Sequence, residues 1–95
     1  MRLHLNNKPS KQVRVYRQVK VSFSVGGTQY NEATTLTRDY APDTLSEYAR
    51  YVDVLLDHHV GQFVKVQLYF DADWIMLSEV GFESGEFRSI VLLFK

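Results

Sequence analysis

Asp71, Asp73 and Glu79 fall close together in FVKVQLYFDADWIMLSEVGFES, residues 63–84. Carboxylates gathered on a loop present hard oxygen ligands, which suits calcium. The spacing is not that of an EF-hand: there is no D-x-D-x-D-G run and no Glu at its twelfth position. The plainer reading is that Asp71-Ala72-Asp73 is a solvated turn between two strands, with Asp chosen because it tolerates turn geometry. Paired carboxylates can also carry acid–base hydrolysis. A small hydrolase using Asp71 and Glu79 would need a nucleophile or pocket signal, and none accompanies them. Trp74, beside the acids, reads either as a ligand-facing aromatic or as an anchor packed between two sheets.

His58 and His59 invite a zinc reading. Adjacent residues of a strand point to opposite faces, so the two cannot readily chelate together, and His4 is far off in sequence. One surface and one partly buried histidine is the simpler account. No Ser-His-Asp order stands out. Gly26 and Gly27 lack the following Lys and helix of a phosphate-binding loop. The Tyr and Phe residues lie at strand spacing, which suits core and sheet surface better than a platform for stacking bases.

These residues need a scaffold, and the chain allows one domain at most: 95 residues, with 45% apolar and 14% aromatic content, which argues against disorder. Eleven basic side chains balance eleven acidic ones, so charge gives no reason to propose nucleic acid or an anionic membrane surface. There is no cysteine, which excludes a disulfide framework, a thiolate zinc site and a Cys nucleophile, and by itself leans weakly towards the cytosol. Residues 1–7 contain no apolar core of a signal peptide. No segment approaches the roughly 18 apolar residues that span a bilayer.

Two regions read as strands. Val19, Val21, Phe23 and Val25 alternate with Lys20, Ser22 and Ser24; Val64, Val66, Leu68 and Phe70 alternate with Lys65, Gln67 and Tyr69. Gly26 and Gly27 predict a tight hairpin with a short return limb at residues 28–30. Residues 74–82 resume strand composition, and residues 2–5 make a plausible short strand. The middle is ambiguous. Leu45, Tyr48, Ala49, Val52, Leu55, Leu56 and His59 fit helical spacing, and Thr44-Leu45-Ser46-Glu47 matches a capping box. Val52, Val54 and Leu56 fit a strand instead. The remainder points to an antiparallel β protein, a sandwich or barrel.

HLNN near the start, VKVSFSVGG, YARYVDVLLDHHVGQFVKVQLYF and DWIMLSEVGFES together resemble the discoidin domain receptors, which are collagen-binding receptor tyrosine kinases. The resemblance covers residues 1–84 and corresponds to the C-terminal half of the extracellular discoidin-like domain. It implies an all-β fold, an antiparallel β-sandwich of the jelly-roll, discoidin-like kind, present as an incomplete domain. It implies a strand at residues 52–56. The domain of that family holds calcium, and the matching ligands here would be Ser78 and Glu79, with the aspartates of the turn taking no such role. The other ligands would lie in a first half outside this chain, so a partial and weak or empty site is expected.

The resemblance also implies that relatives carry Cys at positions matching Val21 and Val66, a disulfide pair there, and Cys where Leu5 sits. Replacing both members by Val keeps the core apolar and removes the force of the cytosolic lean. Residues 85–95 resemble nothing in the family. Gly85-Glu86-Phe87 is what GGT-GAG-TTC encodes, and GGTGAG resembles an exon end, so intron read-through or a truncated gene model is the expectation for this tail. The implied function is non-catalytic: a structural and signalling spacer on the extracellular side of the plasma membrane, lacking the kinase and the main collagen-binding domain. Collagen would be met through the parent receptor, itself a possible homodimer. The other reading is a stand-alone jelly-roll module recognising a glycan or protein through Asp71, Asp73, Trp74 and His58-His59. Val21, Phe23, Val25, Val66, Leu68, Phe70, Trp74, Ile75, Leu77, Val80 and Phe82 are the expected inner faces.

Overall fold

The computed structural model describes residues 1–30, 34–56, 63–82 and 89–95. Among the described residues there are seven strands, β1 (Arg2–Leu5), β2 (Gln18–Ser24), β3 (Leu36–Asp39), β4 (Arg50–Asp53), β5 (Phe63–Tyr69), β6 (Leu77–Gly81) and β7 (Ser89–Phe94), and one 3-10 turn at Pro9–Lys11; β2 and β5 are built by alternating apolar residues. They form a three-stranded sheet in the order β4-β1-β6 and a four-stranded sheet in the order β3-β2-β5-β7. Every pair is antiparallel except β5 with β7, which is parallel. Among the described residues no helix is long and apolar enough to cross a membrane.

The core lies between the sheets. Leu3 and Leu5 come from the first sheet and Val19, Val21, Phe23, Val64, Val66 and Leu68 from the second, in one contiguous cluster with Val15, Tyr16 and Val54. On β2 and β5 the inward residues meet as direct partners: Val19 with Leu68, Val21 with Val66, Phe23 with Val64. Each such side chain contributes about 1.5–3 kcal/mol on full burial. Ile75, Leu77, Val80 and Phe82 pack against this cluster from the side, partly buried.

Three expected inner-face residues are not there. Val25 is 73% exposed, Trp74 63%, and Phe70 is also exposed. Val25 lies beyond the end of β2, where the chain has left the ladder, and Phe70 lies one residue past β5. The tight hairpin is also replaced by a longer connection, since β2 pairs with β3, whose first residue is Leu36. Gly27 alone of the pair takes a positive φ, 83°. Its N–H donates to Ser24 Oγ at 2.8 Å, and the Phe63 ring lies 3.2 Å from where a Cβ would stand.

The ambiguous middle is a strand, two residues earlier than expected, at Arg50–Asp53. The capping signal is real but does not start a helix. Asp43 Oδ1 accepts from the Leu45 and Ser46 N–H groups, while the Glu47 carboxylate accepts from the Ser10 backbone and hydroxyl rather than closing the box. Asn7, buried, donates from Nδ2 to the Asp43 and Ser46 carbonyls at 3.0 and 2.7 Å. These long-range bonds hold residues 43–47 as an ordered turn that delivers the chain to β4. Val54 then exchanges backbone bonds with Met1, which prolongs the β1–β4 ladder.

Candidate functional site

β1 sits at the centre of the three-stranded sheet, so its outward residues have neighbours on both sides. Leu3 and Leu5 face the core and therefore Arg2 and His4 face out. Across β4, Arg2 opposes Asp53 and His4 opposes Tyr51; across β6, Arg2 opposes Gly81 and His4 opposes Glu79. Arg2 grips Asp53 in a forked pair, Nε to Oδ1 at 2.8 Å and Nη2 to Oδ2 at 3.3 Å, and lies 5.5 Å from the centroid of the Tyr51 ring. The His4 and Tyr51 rings stack with centroids 4.6 Å apart. Arg2's hydrogen bonds hold the Asp53 carboxyl below its ordinary range.

Ser78 and Glu79 are placed on this same face by an irregularity. Leu5 pairs with Leu77 and His4 with Glu79, so the register shifts and Ser78 has no partner on β1. This is a β-bulge, one extra residue that re-aims its neighbours. A regular strand would send Ser78 and Glu79 to opposite faces. Here Leu77 and Val80 turn inward against the core and Ser78 and Glu79 are both exposed on the outside. Adjacent hydroxyl and carboxylate oxygens therefore share one side of the sheet.

As a cation site this face is incomplete. Calcium takes about six to eight oxygens, whereas the pair offers a hydroxyl and one carboxylate. The Asp53 carboxylate, two strands away on β4, is engaged by Arg2. Among the described residues no three His, Cys, Asp or Glu side chains come together as a metal-holding group. Ser78 and Glu79 supply two adjacent oxygen donors on the outer face of β6.

The aspartates of the turn have separate fates. Residues 71–73 are not a hairpin turn: β5 belongs to the four-stranded sheet and β6 to the three-stranded one, so the break carries the chain between sheets. Asp71 Oδ2 accepts from Arg14 Nη1 at 3.0 Å, with both side chains largely buried. Arg14 Nε is buried beside it with no hydrogen-bond partner among the described residues. Trp74 joins the adjoining segment through its backbone, its N–H donating to the Gln12 carbonyl and its carbonyl accepting from Arg14, which leaves its ring outside. The anchor reading of Trp74 therefore fails, because the backbone bridge, not the indole, does the joining. His58 and His59 lie outside the described residues. Arg2, Tyr51 and Asp53 were not singled out in the sequence; the alternation of Arg2 and His4 around Leu3 was the available signal.

Residues 1–84 match the family model described as Discoidin domain-containing receptor 1/2, DS-like domain. The chain is similar to Discoidin domain-containing receptor tyrosine kinase B of Caenorhabditis elegans, at 30% identity over 85 residues, covering 87% of this chain and 10% of that protein. The chain thus spans about a tenth of the length of that curated relative. No solved structure matches.

Proposed function

This chain belongs to the discoidin-like domain family of the discoidin domain receptors, and from that premise we propose that it is a non-catalytic spacer module of a collagen-receptor tyrosine kinase, placed on the extracellular side of the plasma membrane. The family domain occupies residues 1–84, and collagen is engaged by another domain of the parent. The carrying observation is the bulge that sets Ser78 and Glu79 side by side on the outer face of β6. In this reading the pair is one wall of a calcium site whose other ligands come from outside the chain, and it ties this module to a neighbouring part of the receptor.

The test is a titration of the purified chain over immobilised triple-helical collagen. No saturable binding is expected. Saturable binding that collagen in solution competes away would overturn the spacer reading.

The exposed Trp74 supports a second reading. An indole held outside by a backbone bridge, next to Asp73, has the form of a ligand-facing aromatic in a stand-alone module for a glycan or protein. Trp74→Ala separates the two: a spacer loses nothing in ligand capture, whereas a module loses its ligand.

A further inference from the structure

β7 has the composition of a strand covered on both faces and both edges, yet it is covered on one of each. Its run Ile90-Val91-Leu92-Leu93-Phe94 carries no charge and no proline, and it lies outside the family match. One edge pairs with β5 over six positions, from Phe63 with Ser89 to Leu68 with Phe94. Ile90 and Leu92 pack inward on the core. On the other side Val91 is 41% exposed and Leu93 37%, and Phe94 is 46% exposed at the strand end. The second edge pairs with nothing among the described residues, because β7 ends the sheet. Unpaired, uncharged apolar edges are what soluble proteins otherwise blunt with Lys, Pro or bulges.

The geometry points to a second copy of this chain as the occupant of that edge, joined β7 to β7 antiparallel about a two-fold axis. The strand is complementary to itself. Inward residues must meet inward residues, since a one-residue slip would send each side chain to the wrong face. Of the registers that satisfy this, the one centred on Leu92 pairs the whole segment: Leu92 with its own copy, Val91 with Leu93, Ile90 with Phe94, and Ser89 with Lys95. All the central pairs are apolar and Lys95 meets an uncharged partner, so no like charges oppose each other. The chain's charges balance, eleven against eleven, so no net repulsion keeps two copies apart. A two-fold contact of this kind closes on itself and makes one continuous eight-stranded sheet from two four-stranded ones, with the exposed Val91 and Leu93 of both copies clustered on its outer face.

Sedimentation equilibrium on the full chain tests this. A concentration-dependent monomer–dimer equilibrium is expected. Val91→Lys with Leu93→Lys sets lysines opposite each other across the axis, at exposed positions outside the core, and should weaken the dimer at least about tenfold with the thermal midpoint little changed. The chain has no cysteine, so a single introduced thiol reports the register. Leu92→Cys should cross-link to its own copy on oxidation, and Val91→Cys, offset from its copy, should cross-link much less. A monomer at all concentrations, open-ended oligomers, or equal cross-linking at the two positions would each overturn the proposal.

Discussion

Val21 of β2 and Val66 of β5 stand directly opposite each other in the central ladder of the four-stranded sheet, both completely buried. Antiparallel partners have Cα atoms about 4.5–5.5 Å apart, within the range a disulfide spans. Val21→Cys with Val66→Cys should therefore oxidise to a cross-link closing a loop of roughly 45 residues, adding on the order of 2–4 kcal/mol. Urea unfolding with and without reductant measures it. A double variant whose thiols stay free under oxidant contradicts the register.

Asp71 and Asp73 look equivalent in the sequence and are not equivalent in the fold. Asp71→Ala leaves the Arg14 guanidinium, largely buried, with a lost partner beside an Nε that already has none. A cost of about 1–3 kcal/mol follows from unsatisfied buried donors. Asp73→Ala should fall within about 0.5 kcal/mol of the parent, as exposed substitutions do. Equal effects of the two in chemical denaturation would show that the Arg14–Asp71 pair does not hold the crossing between sheets.

Asp43 gives the fold a defined acid limb. Its carboxyl is drawn from 3.8 down to about 2, first by the Ser46 backbone N–H, then by Arg50 and the Leu45 N–H. The folded value lies below the unfolded one, so the unfolded chain takes up the proton more readily. The contribution is present in full above about pH 4 and is lost as pH falls through about 2. Asp43→Asn should lower stability at neutral pH and flatten the dependence between pH 4 and 2. A variant whose pH profile there parallels the parent's would contradict the role of the turn.

How much was legible in the sequence follows from where local pattern and tertiary pairing agree. Val19, Val21, Phe23, Val64, Val66 and Leu68 were readable because strict alternation is enforced by one buried face. Residues 44–56 were not, because helical spacing and strand alternation overlap there and the choice is made by Asn7 and Ser10, over thirty residues away. Val25, Phe70 and Trp74 continued an apolar pattern past the point where the ladder ends, and pattern alone carries no mark of that end. At the site, Ser78 and Glu79 were reached through family motifs. That they share a face rests on a bulge, which depends on the pairing with β1 and leaves no local trace. β7 was seen only as an apolar run, since its partner is set by the sheet.

Ser78 and Glu79 are two oxygen donors on one face of β6, too few to hold calcium without ligands from elsewhere. The most direct measurement is the thermal midpoint of the chain with and without millimolar calcium, followed by circular dichroism for the parent and for Glu79→Gln. A midpoint that calcium does not move in either protein is expected. A midpoint raised several degrees by calcium, with the rise abolished in Glu79→Gln, would contradict it and make this face a complete metal site.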